Sequence, residues 1–204
     1  SLTRISSEQV QVLDKKYKSL FGYTGTLKNE LADLCRLPFM MRIVAEVYSG
    51  KKLPDHAIDI DLMQNYLELK YSKMDREKAR NTLIATVETM LENSIDSRQG
   101  INERELRRAL GLKPHEELTH EVFDHYILTR HTTPTNTTNI NFYFSKVRDY
   151  LTAIELFGLP QKDGEEFRTA VRQLMSNSIG QSALGWYTKH TNDNQRKILL
   201  EHHS

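Results

Sequence analysis

The chain has 204 residues, of which 38% are hydrophobic and 27% are charged, and its formal net charge is +1. This balance excludes a global field that would draw the whole chain to nucleic acid or anionic lipid. No apolar run approaches the roughly 20 residues of a membrane-spanning helix, so we predict a soluble protein with no membrane partner. Cys35 is the only cysteine, which excludes an internal disulfide. We predict that it is a buried small hydrophobe in a reducing, cytoplasmic compartment.

Helical periodicity dominates the beginning of the chain. A capped helix is predicted over 6–21, and a second apolar pattern of helical spacing follows it. Pro38 interrupts the second pattern, and its missing N–H must end or kink that helix before a third helix begins. The polar connector 51–59 marks the first predicted domain boundary. We therefore predict that 1–54 is a small, lid-like helical bundle.

A winged-helix domain is predicted over 55–160. Its central part, 75–144, has the order helix, short helix, helix and β-hairpin, which is typical of winged helices. The third of these helices, Glu116–Tyr126, corresponds to the helix that enters DNA in DNA-binding members, and the hairpin after it is the wing. Two or three further helices are predicted over 161–204, as the start of another helical region. The predicted fold class is mostly α, with a small helical bundle, a winged-helix domain and a trailing helical segment.

The wing and the helix that follows it are predicted to pack on each other. The strand contributes two aromatic residues that share one face at a period of two. The helix contributes three apolar residues that share one helical face. These residues are Phe142 and Phe144 on the strand, and Val147, Tyr150 and Leu151 on the helix.

No catalytic or metal-binding pattern is present in the sequence. Gly50-Lys51 lacks the upstream glycines and the following hydroxyl of a phosphate loop. A helix end followed by lysines that complement its dipole is the favoured interpretation. His115, His120 and His125 are five residues apart, which turns neighbouring rings about 140° from each other on a helix, whereas the zincin motif needs histidines at i and i+4. We predict no metal site, no catalytic residue and no enzymatic activity.

One face of the predicted helix Glu116–Tyr126 is acidic, whereas the opposite face is apolar and includes Tyr126. The outward residues, at i, i+3, i+4 and i+7, are Glu117, His120, Glu121 and Asp124. Because neutralisation of phosphates supplies most of the affinity for DNA, we expect this face to contact protein or solvent, and we predict no nucleic-acid partner. The dense basic cluster of Arg104, Arg107 and Arg108 is expected to form surface ion pairs.

Two hydrophobic stretches occur in an informative order. The first is LADLCRLPFMMRIVAEVY at 31–48, and the connector Leu53-Pro54 and a helix around Leu62 come after it. The second is FYFSKVRDYLTA at 142–153, in which a strand, a turn and a helix with the pattern Arg/Gln–acid–aromatic–Leu–x–Ala follow one another. In order and spacing they resemble the helical and winged-helix arm that follows the ATPase core in NACHT-like members of the STAND signalling NTPases. The resemblance covers most of residues 25–160.

The resemblance implies a regulatory function. Proteins of this class hold ADP between the ATPase core and the arm when they are off, and they open and oligomerise when they are on. The chain is then expected to be the arm, which controls nucleotide-dependent opening and oligomerisation through domain contacts. The ATPase core is expected N-terminal to Ser1, with a homo-oligomer as the active full-length form. No cofactor is expected in this part of the protein, and ADP or ATP is expected in the full-length protein.

One nucleotide contact carries over from the resemblance. The family's proline in the first stretch lies against the adenine, and Pro38 matches it. A histidine in the second stretch reaches a phosphate in the family, but Phe144 stands at that position and a phenyl ring cannot donate the hydrogen bond. Two alternative functions stay open, a winged-helix transcriptional regulator that binds nucleic acid and a plain helical scaffold for protein interactions. A basic wing and a basic recognition helix would favour the regulator, whereas the scaffold function predicts no nucleotide dependence in the full-length protein.

Overall fold

The computed structural model describes residues 4–93 and 100–202. The fold is mostly helical, with 63% of the residues in helices and a small antiparallel sheet that the helices surround. The predicted fold class is confirmed.

The packing of the chain defines two compact units, Ser1–Lys73 and Met74–Ser204. The division predicted from the sequence, into 1–54, 55–160 and 161–204, stays a prediction. Among the described helices, none combines the length and the hydropathy of a membrane span.

The first unit is a bundle of helices. Their bounds are α1 Ser7–Phe21, α2 Asn29–Leu34, α3 Pro38–Val47 and α4 Asp59–Tyr71. A capping box starts α1, because the Gln9 N–H donates to Ser6 Oγ at 3.2 Å and the Ser6 N–H donates to Gln9 Oε1 at 2.9 Å. Both α1 and α4 pack on α3. The core of the unit is centred on α3, whose buried residues are Phe39, Met40, Met41, Ile43, Val44 and Ala45.

The second unit contains the sheet. Its α-helices are α5 Arg76–Glu92, α6 Glu103–Ala109, α7 Glu121–Asp124, α8 Ser145–Tyr150, α9 Gly164–Met175, α10 Ser178–Tyr187 and α11 Asp193–His202. A π-helical turn, Leu151–Leu156, continues α8, and short 3₁₀ turns lie at Leu159–Gln161 and Thr188–His190. The strands are β1 Ile101–Asn102, β2 Leu128–Thr132 and β3 Thr138–Phe142.

The sheet has the strand order β1-β3-β2, and both pairs are antiparallel. Strands β2 and β3 form the predicted hairpin wing, with Leu128 opposite Phe142 at its base. Strand β1, which the sequence did not predict, pairs with the other edge of β3, where Ile101 faces Ile140. Just before β1, Gly100 has φ +68, and a Cβ there would lie 2.3 Å from the Ile140 carbonyl oxygen. Only glycine fits this close approach of two backbones.

The predicted helix Glu116–Tyr126 is wrong over most of its length, because only α7 is helical. The Arg107 guanidinium explains the difference. Its Nη2 donates to the carbonyl oxygens of Lys113 at 3.2 Å and Pro114 at 3.4 Å, and also to that of Glu116. These hydrogen bonds hold the chain just before and at the start of the predicted helix as a loop. The predicted acidic helix face therefore does not form as a single face.

The contact between the wing and the helix after it is confirmed in part. Phe142, Val147, Tyr150 and Leu151 are all buried. The predicted place of Phe144 is wrong, because β3 ends at Phe142 and α8 begins at Ser145. Phe144 lies between them in an extended conformation, with φ −117 and ψ 118, and its side chain is half-buried. The strand periodicity of two no longer applies where the chain leaves the sheet.

Candidate functional site

Pro38 is the first residue of α3. Leu37 before it is extended, with φ −93 and ψ 115, and the first helical position needs no intrahelical bond from its N–H, so a proline starts the helix without losing one. The predicted break before the third helix is confirmed. The side chains of Phe39 and Met40 turn into the core, whereas Pro38 is exposed. The ring is therefore accessible to a partner, and its contact with an adenine stays a prediction.

The structure also gives the surroundings of two other residues of the first unit, Cys35 and Gly50. Cys35 is fully buried, and burial, with a smaller contribution from the nearby Asp14, raises the pKa of its thiol to about 12. A thiol with that pKa is not a nucleophile at neutral pH. Gly50 follows the end of α3 with φ +69, and its N–H donates to the Phe21 carbonyl oxygen at 2.9 Å. Gly50 is therefore not the C-cap that the sequence indicated, because the C-cap of α3 is Tyr48, two residues earlier.

Residues 142–153, the second of the two stretches described in the sequence, contain a buried ion pair between two adjacent residues. Arg148 is 2% exposed and Asp149 is fully buried. Arg148 donates to Asp149 Oδ1 from Nη2 at 2.9 Å and from Nε at 3.3 Å. The other carboxylate oxygen, Oδ2, accepts from Ser182 Oγ at 3.0 Å and lies 3.1 Å from Lys146 Nζ. Both charges are therefore compensated inside the protein, which a buried ion pair requires.

This network joins α8 to α10. Ser182 lies on α10 and also accepts from Arg148 Nη2 at 3.3 Å. Beside the network, the rings of Tyr150 and Trp186 meet edge to face with centroids 6.1 Å apart. Polar and aromatic contacts together therefore form one joint between α8 and α10. The sequence pattern identified the Arg–acid pair, but it missed Ser182, because that partner is more than 30 residues further along the chain.

Three aromatic rings form an exposed ladder near the base of the wing. Tyr126 and Tyr143 meet edge to face with centroids 5.8 Å apart, and Tyr143 and Phe144 do so at 4.7 Å. Both tyrosines are largely exposed. Tyr126 was predicted on the apolar face of a helix, but it follows the end of α7 with φ +57. This left-handed conformation is uncommon for a bulky residue, and spacing alone gave no sign of it.

Acidic groups dominate the segment that leads into the wing. Glu117 Oε2 lies 2.7 Å from His120 Nε2, and that contact holds the pKa of Glu117 below its usual range. Glu121 accepts from the Asp75 N–H at 3.0 Å. The wing's arginine is occupied internally, because Arg130 pairs with Glu103 at 3.3 Å and lies over an aromatic ring. The segment therefore offers carboxylates where a DNA-binding winged helix offers cations.

Among the described residues, no group of three or more histidine, cysteine, aspartate or glutamate side chains is arranged to hold a metal ion. Comparison of the chain with protein-family models, with curated proteins and with solved structures found no match. The function must therefore be argued from the residues and their geometry.

Proposed function

We propose that the chain is the regulatory arm of a STAND-class, NACHT-like signalling NTPase. The observation that carries the proposal is the placement of the two resembling stretches. Residues 31–48 form α2 and α3, with Pro38 exposed at the start of α3. Residues 142–153 form the end of the wing and the helix after it, and their Arg–acid pair is the buried joint with α10. The winged-helix order of the second unit supports the same assignment.

The proposed mechanism uses domain contacts and no chemistry within the chain. A nucleotide favours the closed state only by its higher affinity for that state. Pro38 supplies an apolar contact to the adenine of ADP or ATP, which the ATPase core of the full-length protein binds. Phe144 cannot donate a hydrogen bond, so phosphate recognition belongs to the core. Loss of the closed-state contacts then opens the protein and exposes the surfaces for homo-oligomerisation.

The joint between α8 and α10 suits such a mechanism. A rigid connection transmits a rotation of one part to the next, and a network with both charges compensated has one favoured geometry. Lys146, Arg148, Asp149 and Ser182 make this connection in the second unit. The trailing helices are therefore expected to move together with the winged helix when the protein opens.

The proposal is tested by ADP binding to the full-length protein carrying Pro38→Ala. Alanine lacks two ring methylenes, each contributing about 0.8 kcal/mol when buried, so ADP should bind about tenfold more weakly. Folding should change little, because alanine can adopt the backbone angles of a helix start. Isothermal titration of ADP into the nucleotide-free protein measures the effect.

The matched control is Pro160→Ala, at an exposed proline in the short turn Leu159–Gln161 of the other unit. It should leave the affinity for ADP unchanged. If Pro38→Ala and the wild type bind ADP equally, Pro38 is only a helix start, and the nucleotide contact is removed from the proposal. If the full-length protein binds no adenine nucleotide, the scaffold alternative replaces the proposal.

A further inference from the structure

A groove of about 700 Å³ opens on the surface of the second unit. One wall is the end of α5, the other is α9, and the π-helical turn closes the space between them. Its floor is apolar, with Leu91, Leu156 and Phe157 only half-buried. Two helices that flank an apolar floor form the usual seat for a third, amphipathic helix.

The rim of the groove is acidic. Among the described residues that line it, the rim carries Glu88, Glu92, Glu165 and Glu166 against a single ammonium group, that of Lys162. Glu165 is balanced within α9 by Arg172 at 2.8 Å. Within the described part of the chain, the other three carboxylates form no ion pair.

Helix stability does not account for the carboxylates on α5. Glu92 is the last residue of that helix, and no basic residue lies in the last turn. A carboxylate at this end faces the negative pole of the helix dipole, which is unfavourable. Glu166, by contrast, is in the first turn of α9, where a negative charge stabilises the helix. The acidic rim on the α5 side therefore calls for a cationic partner.

The same chain presents a helix face of the complementary chemistry on α1. Val12 and Leu20 are 69% and 66% exposed. Lys15 and Lys16 lie between them on the same face, at i+3 and i+4 from Val12, and both are exposed. The buried and half-buried residues of α1 are on its other face. The outward face thus has an apolar residue at each end and two lysines in the middle.

The two surfaces also agree in length. Val12 and Leu20 are eight residues apart, as are Glu165 and Gln173 along the α9 wall, and eight residues of helix span about 12 Å. We infer that the outward face of α1 docks into this groove on a second copy of the chain, with Lys15 and Lys16 against Glu88 and Glu92. The contact joins two different surfaces, and each copy of the chain carries both of them. The inference stands on these two surfaces and does not depend on the proposed function.

The test reverses the charges on each side separately. The groove variant is Glu88→Lys/Glu92→Lys, and the helix variant is Lys15→Glu/Lys16→Glu. All four positions are exposed, and lysines at the end of α5 suit its dipole, so both variants should fold. Sedimentation velocity of the 204-residue chain, from micromolar to millimolar concentration, measures association.

The wild type should associate as the concentration rises, and less so at high salt. Each variant alone should be at least tenfold weaker, because like charges then meet. Mixing the two variants should restore association. The lysines in the groove of one variant then meet the glutamates on α1 of the other, and the unchanged α1 of the first meets the unchanged groove of the second. This rescue cannot come from a variant that fails to fold.

A control for the apolar contact is the pair Leu20→Ser and Leu200→Ser. Both leucines are largely exposed, but Leu200 lies on α11 and belongs to neither proposed surface. Only Leu20→Ser should weaken association. A wild-type chain that stays monomeric up to millimolar concentration overturns the inference. The inference is also overturned if the charge-reversed variants associate as strongly as the wild type, or if the mixture associates no more strongly than each variant alone.

Discussion

At the scale of single residues, a tight charge cluster of the first unit is centred on Glu46. Its Oε2 lies 2.6 Å from Lys70 Nζ, and its Oε1 lies 2.6 Å from Arg42 Nε. Burial alone would raise the pKa of Glu46, but the hydrogen bonds from Lys70 and Arg42 hold that pKa below its usual value. Lys70 is nearly buried, and its ammonium also lies over the Tyr66 ring, 4.9 Å from the centroid. The cluster joins α3 to α4.

We expect Glu46→Gln to lower the free energy of unfolding by about 3 kcal/mol, because it leaves the Lys70 ammonium buried without a counter-ion. Urea denaturation at pH 7 measures the change. The double variant Glu46→Gln/Lys70→Met is the control, since it removes both charges and should recover most of the loss. If the single and double variants are equally unstable, the pairing of the two charges is not the cause.

The lowered pKa also fixes the sign of the pH dependence. A carboxylate with a depressed folded-state pKa stabilises the fold fully above its unfolded pKa, which is about 4.3 for glutamate. The contribution disappears as the pH falls through the lower, folded-state value. The difference in stability between wild type and Glu46→Gln should therefore be constant near neutrality and shrink below about pH 4.

The sequence predicted single residues well where the cause is local. It placed the helix break at Pro38 and the burial of Cys35 correctly, because proline geometry and an apolar setting act within a few neighbours. It did not pair Lys70 with Glu46, or Asp149 with Ser182, whose partners are 24 and 33 residues apart. Periodicity indicates which face of a helix is buried, but it does not say what that face meets.

At the scale of elements, α10 offers a matched pair of glycines. A Cβ on Gly180 would lie 2.1 Å from the Leu174 carbonyl oxygen, which belongs to the backbone of α9 and cannot move aside cheaply. A Cβ on Gly185, in the same helix, would meet nothing within 4 Å. The close approach of α9 and α10 therefore depends on the first glycine and not on the second.

Gly180→Ala should destabilise the protein by about 1–3 kcal/mol through overpacking. Gly185→Ala should stabilise it by up to about 1 kcal/mol, because alanine is the better helix former and the added methyl has room. Thermal unfolding followed by circular dichroism compares the two. Equal shifts for both variants would contradict the packing of α9 against α10.

The elements that the sequence missed depend on contacts with residues outside those elements. Strand β1 has only two residues and exists because Gly100 lets the chain approach Ile140. The loop before α7 exists because Arg107 binds its carbonyl oxygens. Neither contact can be predicted from local propensity or from the spacing of residues. The helices with long apolar stripes, such as α1 and α5, were predicted because their pattern repeats over several turns.

At the scale of the whole molecule, the fold and the charge distribution indicate different partners. A winged helix is a common architecture for binding DNA. In this one, Arg107 and Arg130 are used for internal contacts, whereas Glu117 and Asp124 are exposed in the segment that would meet the phosphates. The architecture alone does not fix the partner, since one fold serves many functions.

We therefore expect no retention of labelled duplex DNA by micromolar protein at physiological salt. Non-specific binding by DNA-binding proteins reaches about 10⁻⁴–10⁻⁶ M under those conditions, and it weakens steeply as salt rises. The variant Glu117→Lys/Asp124→Lys tests the reason. Both side chains are exposed, so the change should leave the fold intact while it replaces repulsion with attraction. If carboxylates prevent binding, this variant should gain salt-sensitive affinity for duplex DNA of any sequence. Salt-sensitive retention by the wild type would instead favour the nucleic-acid-binding alternative.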